Sequence, residues 1–595
     1  MVAQTKPTKG DYVGNVRRAG GIIAQAAGLE RPPDLLVFPE TALTGYFLEG
    51  GVRELAMTAG TLFRDLAAQH ALAAAPSMDV VVGFYEEYRN RYYNSALYAS
   101  LGGPAPGIRH VHRKVFLPTY GLFDEERFVE HGHSVHAFDT QWGRVALAVC
   151  EDAWHSIVPT LAALDGATLL IVPSASPARG VDPDTESTDD PARRPSSVRR
   201  WETLARQIAG EHGIYVAFAQ LTGFEGGKGL QGSSLVVDPF GEVVVRGPLF
   251  EEALLTATLE HDEITRARFE QPLLADLETQ FLNLLESRQI TPSPVAPDLS
   301  ETGVGIAEPP MAAAATVVAS PDREDPLILD PELTERWLVA FLQDEVVRRR
   351  GFTAGIVGLS GGVDSSVTAA LATRALGPEH VIGVRMPYRT SSADSLAHAE
   401  QLASSLGIEL ITVDISGAVD AYLEAADPDA DPTRRGNVMA RLRMVTLFDL
   451  SAKHGALPLG TGNKTERLMG YFTWHGDDAP PVNPLGDLFK TQVIQLAVHL
   501  GLPEEIVSKP ASADLIQGQT DESDLGISYD RADRILHWLL RGLPPARIAT
   551  MGFDNDQVDL VSKRLHATHW KRRLPTVAML SSTTIGESYL RPVDY

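Results

Sequence analysis

One glycine-rich turn and three scattered side chains carry the reactive chemistry legible in this sequence. The turn is Gly358-Leu-Ser-Gly-Gly-Val-Asp-Ser-Ser366, so Gly358, Leu359, Ser360, Gly361, Gly362, Val363, Asp364, Ser365 and Ser366 stand between an apolar run and a helical pattern. Such a turn leaves backbone N–H groups converging on one point at a helix N-terminus, which makes an anion site. Gly361 and Gly362 let the backbone come close to the bound group. The three serines add hydroxyl donors, and Asp364 adds a carboxylate suited to Mg²⁺. No Lys follows the glycines, so this is not the G-x-x-x-x-G-K-[ST] loop. The three side chains are Glu40, Lys114 and Cys150. Together they can do acyl-transfer chemistry on a carboxamide. The thiol attacks as thiolate, Glu40 takes its proton and later activates water, and Lys114 with the N–H after the nucleophile stabilises the oxyanion. Taken singly, a Cys in an apolar strand is more often inert core, and a Glu or Lys at a strand end is more often a rim charge.

These groups need strand ends to hold them. Asp34-Leu-Leu-Val-Phe-Pro-Glu40 reads as a strand ending in a carboxylate, and Ile108 to Leu117 as another carrying His112-Arg-Lys114. Arg144 to Cys150 is a buried strand that delivers the thiol, with a helical stretch to Leu164 after Glu151-Asp-Ala-Trp154. Strands at Asp79 to Tyr85, Ser95 to Ser100, Ala167 to Pro173 and Ile214 to Leu221, a helix near Ser197 to His212, and a hairpin around Pro239-Phe-Gly241 complete a layered α/β pattern. The first strand, Val2 to Gln4, is short, and Arg179 to Arg200 reads as a long loop, acidic and then basic.

The chain is organised differently beyond Thr291 to Asp325, a Pro-, Ala-, Ser- and Glu-rich connection. Pro331 to Arg350 is helical, and Ala354 to Leu359 is the strand before the glycine turn. A helix at Val367 to Leu376 then leads to the strand His380 to Pro387, the helix Ser392 to Leu406 and the strand Ile408 to Ile415. That spacing predicts a doubly wound parallel sheet with ligands at the strand C-terminal ends, where Arg385 can meet an anionic ligand. A helix from Asn437 to His454 carries Arg441 and Arg443 near its start. A short strand, Leu457 to Leu459, ends in Gly460-Thr-Gly-Asn-Lys-Thr-Glu466. Asp364 and Glu466, each at a strand end, can hold a metal bound to a phosphate ligand, with Lys490 and Lys571 as neutralising cations.

Composition narrows the partners. At 595 residues, two or more domains are expected. A net charge of −25 argues against a nucleic-acid partner. No apolar run is long enough to span a bilayer, and Met1 to Asp11 lacks a signal-peptide core. The single cysteine excludes an intrachain disulfide and fits a reducing, cytoplasmic setting.

The glycine turn resembles the S-G-G-x-D-S pyrophosphate loop of the ATP pyrophosphatase family. Phe38-Pro-Glu40, Arg113-Lys-Val-Phe-Leu-Pro118 and Val149-Cys-Glu-Asp-Ala-Trp154 resemble the nitrilase superfamily over about residues 1 to 285. That likeness implies an α-β-β-α sandwich and an amide-hydrolysing Glu40–Lys114–Cys150 triad. Pro118-Thr-Tyr-Gly121 and Phe123-Asp-Glu125 resemble its glutaminase branch, which implies Tyr120, Glu125, Glu151 and Ser176 around a glutamine. From about residue 327 onward the sequence resembles the NAD synthetase family. The matching text is Leu359 to Ser365, Leu459 to Glu466, Tyr471-Phe-Thr-Trp-His-Gly-Asp477, Asn483 to Lys490, Ser512-Ala-Asp514, Thr520-Asp-Glu522, Leu525-Gly-Ile-Ser-Tyr529 and Lys571-Arg-Arg573.

This second resemblance implies that Asp364 and Glu466 bind Mg²⁺ and that Arg385, Thr461, Lys490 and Ser512 contact ATP. It also implies that Arg441, Glu466, Asp477 and Lys571 lie near deamido-NAD, with Gln517 to Leu525 closing over the phosphates. Together the two likenesses imply a glutaminase domain (1–285), a linker (286–326) and a synthetase domain (327–595). The implied reaction is ATP-dependent amidation of deamido-NAD through an adenylate, by a homo-oligomer. Trp474 stands where some members carry Lys, and Pro481 where they carry Asp. These departures favour, as the alternative, a related adenylating amidotransferase acting on another carboxylate.

Overall fold

The computed structural model describes residues 1–48, 51–181, 194–286, 325–512 and 520–573, and the side chains of 281–286 are not among them. The expected linker core, residues 182–193 of the expected loop, residues 517–519 of the stretch expected to close over the phosphates, and the residues after Ser512 in its motif lie outside this set. The chain divides into two compact units. One comprises the described residues of Met1–Ala178 and Ser197–Asp325, the other those of Arg179–Ser196 and Pro326–Ser588.

In the first unit the strands are β1 (Val2–Gln4), β2 (Leu35–Val37), β3 (Met78–Tyr88), β4 (Arg91–Leu101), β5 (Gly107–Arg113), β6 (Ala137–Thr140), β7 (Gly143–Leu147), β8 (Leu169–Ser174), β9 (Tyr215–Gln220), β10 (Thr222–Glu225), β11 (Lys228–Gln231), β12 (Leu235–Val237), β13 (Val243–Arg246) and β14 (Ala253–Leu255). They form two six-stranded sheets, β14-β1-β2-β3-β4-β5 and β13-β12-β9-β8-β7-β6, with β10 and β11 as a separate hairpin. In each sheet three neighbouring strands run parallel, β1-β2-β3 and β7-β8-β9, and the flanking pairs are antiparallel. The parallel strands β8 and β9 are buried at every position, as strands covered on both faces must be.

Val37, Val81 and Tyr98 of one sheet pack with Leu147, Ile171 and Phe218 of the other in a shared core. Helices α1 (Tyr12–Ala27) and α2 (Ala59–Leu72) cover the outer face of the first sheet through Val16, Ile23, Leu62 and Leu66. Helices α3 (Ile157–Leu164) and α4 (Ser196–His212) pack Val158, Ala162, Trp201 and Ile208 against the second. The layers are therefore α-β-β-α, as expected. The helix α4 begins at Ser196, so the last residues of the Arg179 to Arg200 stretch are helical rather than loop. β1 is short, yet it lies inside the sheet between β14 and β2, and the amino group of Met1 just before it donates to Leu35 O at 2.7 Å.

The second unit holds a four-stranded, all-parallel sheet in the order β17 (Glu409–Thr412), β16 (Val381–Arg385), β15 (Ala354–Gly358), β18 (Ala456–Leu459). On one face lie α5 (Pro331–Leu342), α6 (Val363–Leu376) and α7 (Ala393–Leu406). On the other lies α8 (Pro432–His454), through Leu447 and Leu450. The sheet is doubly wound, as the β–α spacing predicts. Two element bounds need correction. Helix α6 starts at Val363, so Asp364 and both serines after it belong to its first turn rather than to the loop. Helix α8 starts at Pro432, capped by the Asp431 side chain, which places Arg441 and Arg443 mid-helix. Beyond the sheet, α9 (Lys464–Met469), α10 (Lys490–His499) and α11 (Tyr529–Leu540) carry further site residues. Among the described residues no helix is long and apolar enough to cross a membrane.

Candidate active site

Each unit gathers one constellation. In the first unit, β2 ends before Glu40, β5 ends before Lys114, and β7 runs toward a short turn of helix that opens at Cys150. The segment around Glu40 crosses β3 at Gly83. A Cβ there would lie 2.4 Å from the Glu40 Cα and 2.6 Å from Pro39 O, so only glycine admits the crossing. Lys114 Nζ donates to Glu40 Oε1 at 3.0 Å and to Glu125 Oε1 at 2.7 Å, with all three side chains buried. Asn94 Nδ2 donates to the same Glu40 oxygen at 2.7 Å, and the Tyr46 hydroxyl donates to Glu125. Cys150 itself has φ of +46°, a left-handed conformation that costs an L-residue about 1–2 kcal/mol.

The electrostatics follow from burial. Desolvation and the neighbouring Glu40 push the Cys150 thiol well above its ordinary range, while Lys114 and a hydrogen bond with the Ala175 backbone oppose them. Desolvation alone would lower the Lys114 ammonium, but Glu125 and Glu40 hold it well above the usual lysine value. Burial raises the Glu125 carboxyl, against the pull of Lys114. Glu40 Oε2, Glu125 Oε2 and Ser176 Oγ are buried without a hydrogen-bond partner, which leaves acceptor and hydroxyl capacity for a polar ligand. Tyr120 is exposed, and its hydroxyl donates to Glu151 at 2.9 Å. That contact, after burial, lifts the phenol to about 12. Glu40, Lys114, Cys150, Tyr120, Glu125, Glu151 and Ser176 therefore share one neighbourhood. Sequence reasoning missed Tyr46 and Asn94. Asn94 faces Tyr85 across the β3–β4 register, a pairing that the strand-turn-strand pattern encodes.

In the second unit, a cavity of about 510 Å³ opens at the C-terminal ends of the parallel strands. Gly358, Leu359, Ser360, Arg385, Thr461, Asp477 and Lys571 line it. Gly361 sits beside it with φ of +71°, and a Cβ there would lie 2.2 Å from Ser395 O. Ser360 Oγ and Ser365 Oγ stand 3.1 Å apart, and Ser366 Oγ donates to Gly362 O at 2.8 Å.

Asp364 lies in the first turn of α6, and Lys490 at the start of α10 donates to its Oδ2. The same ammonium stands 3.6 Å from Glu466 Oε1. Burial and Asp364 push the Glu466 carboxyl up to about 8. Asp364 and Glu466 bring two carboxyl groups to one ammonium, oxygen donors of the kind a small hard cation such as Mg²⁺ takes. Glu466 and Asp477 also line a smaller adjoining hollow.

Of the remaining expected residues, Lys571 lines this cavity, whereas Arg441 and Ser512 line neither hollow. Lys571 Nζ donates to Gly470 O and Phe472 O at 2.9 and 3.1 Å. Arg441 Nη2 donates to Trp474 O at 3.3 Å, and Ser512 is exposed and lines neither hollow. Trp474 packs edge-on against Trp570, ring centroids 5.3 Å apart, and neither Trp474 nor Pro481 lines the cavity. Sequence reasoning missed Asn463, which donates to Asp364 Oδ1 at 3.0 Å, and Asp533. The buried Asp533 accepts from Thr465 Oγ1 at 2.5 Å and from Thr491 N at 2.9 Å.

Residues 2–269 match the carbon-nitrogen hydrolase family, and residues 335–575 match the NAD synthase family. The chain is 33% identical to the glutamine-dependent NAD(+) synthetase of Thermotoga maritima over 609 residues, covering 100% of this chain and 97% of that protein. It is 48% identical over 270 residues to the NH(3)-dependent NAD(+) synthetase of Chlorobium phaeobacteroides (strain DSM 266), covering 45% of this chain and 97% of that one. The solved glutamine-dependent NAD+ synthetase of Acinetobacter baumannii, in complex with ADP, shares the fold. Its TM-score is 0.69 at 24% identity, over 100% of this chain and 97% of that one.

Proposed function

The chain belongs to the glutamine-dependent NAD(+) synthetase family, and from that premise we propose that it amidates deamido-NAD to NAD⁺ with ammonia released from glutamine in its first unit. One observation carries the reading. The same chain holds a buried Glu40–Lys114–Glu125 cluster at Cys150 and an Asp364–Lys490–Glu466 cluster behind a glycine turn. The related adenylating amidotransferase for another carboxylate has less support, because Trp474 and Pro481 stand outside the cavity lining.

In the first unit, Glu40 takes the thiol proton as Cys150 attacks the side-chain amide carbon of glutamine. Lys114 neutralises the oxyanion that forms, and Glu125 keeps that ammonium charged and in place. The C–N bond breaks with return of the proton, ammonia leaves, and water activated by Glu40 releases glutamate. A thiol held well above its ordinary range rests protonated, so its proton passes to Glu40 as the attack proceeds. Tyr120, Glu151 and Ser176 are the groups that hold the amino acid.

In the second unit, the Gly358–Ser366 turn, Arg385, Thr461, Lys490 and Ser512 bind ATP, and Arg441, Glu466, Asp477 and Lys571 lie along deamido-NAD. The nicotinate carboxylate attacks the α-phosphorus and pyrophosphate departs. Lys490 neutralises the charge that collects on the leaving oxygens. Asp364 and Glu466 would hold Mg²⁺, which would supply further charge neutralisation for the departing pyrophosphate. Ammonia then displaces AMP from the adenylate. A cytoplasmic homo-oligomer completes the reading.

The test is NAD⁺ formation from deamido-NAD and Mg-ATP with either glutamine or ammonium, in the native enzyme and in Cys150→Ala. The variant keeps ammonium-dependent synthesis and loses glutamine-dependent synthesis. If the native enzyme makes no NAD⁺ from either nitrogen source, the assigned acceptor is wrong.

A further inference from the structure

Asp152 follows the nucleophile by two residues, and no water reaches its side chain. Its carboxylate has four partners. Oδ1 accepts from Val115 N and Phe116 N, both at 2.9 Å. Oδ2 accepts from Val149 N at 3.0 Å and stands 2.8 Å from Nε2 of the buried His112. Three of these groups belong to the segment around Lys114: His112 two residues before it, Val115 and Phe116 directly after it. The fourth, Val149, is the residue before Cys150. The segments leave different sheets, β5 at the edge of one and β7 inside the other. No other side chain among the described hydrogen bonds joins the backbone on both sides of this pair. Cys150 also keeps its left-handed φ of +46° only if the flanking backbone is held, and the bond at Val149 N holds it.

We propose that Asp152, oriented by His112, is a positioning residue for glutamine hydrolysis that fixes the thiol of Cys150 relative to the ammonium of Lys114. The proposal rests on the glutaminase reading of the first unit. A carboxylate is required because all four partners stand as donors around its two oxygens. An amide in its place turns an N–H toward either Val149 N–H or the Val115–Phe116 pair, and one side of the brace is pushed away. A small misplacement of the attacking atom relative to the oxyanion donor costs about 100-fold in rate. Groups that only recognise glutamine are untouched.

The experiment is steady-state glutamine hydrolysis by the full chain in Asp152→Asn, beside ammonium-dependent NAD⁺ synthesis and the rate of Cys150 alkylation by iodoacetamide at fixed pH. The expected result is a kcat for glutamine lowered about 100-fold, with KM held near the native value, ammonium-dependent synthesis retained and the alkylation rate altered. Native kcat, or a parallel loss of both nitrogen sources, overturns the proposal. If Asp152→Asn yields no soluble protein, His112→Gln removes the orienting imidazole and carries the same test with a smaller fall in kcat. Cys150→Ala in the same assay separates the two readings. Glutamine hydrolysis that survives it sinks the glutaminase assignment itself, whereas loss there with native turnover in Asp152→Asn sinks only the brace.

Discussion

The ammonium of Lys114 lies 3.0 Å from Oε1 of Glu40, and solvent reaches neither side chain. A buried pair of this kind is costly to assemble and more costly to break, because the survivor is left charged in a medium that cannot solvate it. Lys114 serves two carboxylates, Glu40 and Glu125, so its loss strands both. Lys114→Met is expected to destabilise the first unit by about 3–5 kcal/mol and to abolish glutamine hydrolysis. Differential scanning calorimetry with ammonium-dependent NAD⁺ synthesis as a control for the second unit checks this. An unchanged unfolding transition would show that the buried charges are not paired as described.

Cys150 is the one cysteine in the chain, so thiol alkylation reports on it alone. Burial and Glu40 hold the thiol protonated, and Lys114 acts in the opposite direction. The rate of iodoacetamide reaction should therefore keep rising with pH beyond the range of an ordinary cysteine. Glu40→Gln is expected to shift that profile to lower pH while eliminating turnover with glutamine. The linked stability has a definite sign. Above the ordinary thiol range the folded state keeps a proton that the unfolded chain has released, so this site favours unfolding as pH rises. A Glu40→Gln profile displaced to higher pH contradicts the electrostatic account.

What the sequence made legible is what short-range pattern encodes. Glu40 and Cys150 each follow an apolar strand, Lys114 follows a more polar one, and the glycine turn stands between a strand and a helix. The start of α8 was also encoded, since Asp431 and Pro432 form a cap-and-first-turn signal that outweighs the polar run to Asn437. Asp152 and Asp533 were not legible as site residues. Each looks like an ordinary helix carboxylate until distant segments arrive: Val115 is 37 residues from Asp152, and Thr465 is 68 residues from Asp533. Their partners are mostly backbone N–H groups and hydroxyls, which carry no signature in sequence.

Asp533 provides a matching prediction in the second unit. It accepts from Thr465 Oγ1 in the first turn of α9, beside Glu466, and from Thr491 N and Oγ1 beside Lys490. Lys490 N in turn donates to Thr465 Oγ1 at 3.0 Å. Asp533→Ala is expected to raise KM for ATP and lower kcat with both nitrogen sources, while glutamine hydrolysis continues. Burial lifts the Asp533 carboxyl to about 6, so between the ordinary carboxylate range and that value the folded state holds an extra proton. Relative to Asp533→Asn, the native protein should lose on the order of 2–3 kcal/mol as pH rises through this window. Paired urea titrations at several pH values measure the difference, and parallel curves would refute it.

Gly361 gives the sharpest test of the phosphate turn. Its φ of +71° lies where an L side chain is strained, and an added Cβ would stand 2.2 Å from the carbonyl oxygen of Ser395. That oxygen is backbone at the start of α7, so it cannot swing aside as a flexible side chain would. Gly361→Ala must therefore move the turn away from α7 or flatten its φ, and either change scatters the N–H groups that converge on the anion. The expected effect is loss of ATP-dependent synthesis with glutamine and with ammonium alike, beginning with a raised KM for ATP. Glutamine hydrolysis in the first unit should persist. Isothermal titration with Mg-ATP separates binding from turnover. Native affinity for Mg-ATP in the variant would mean that the nucleotide phosphates do not sit on this turn.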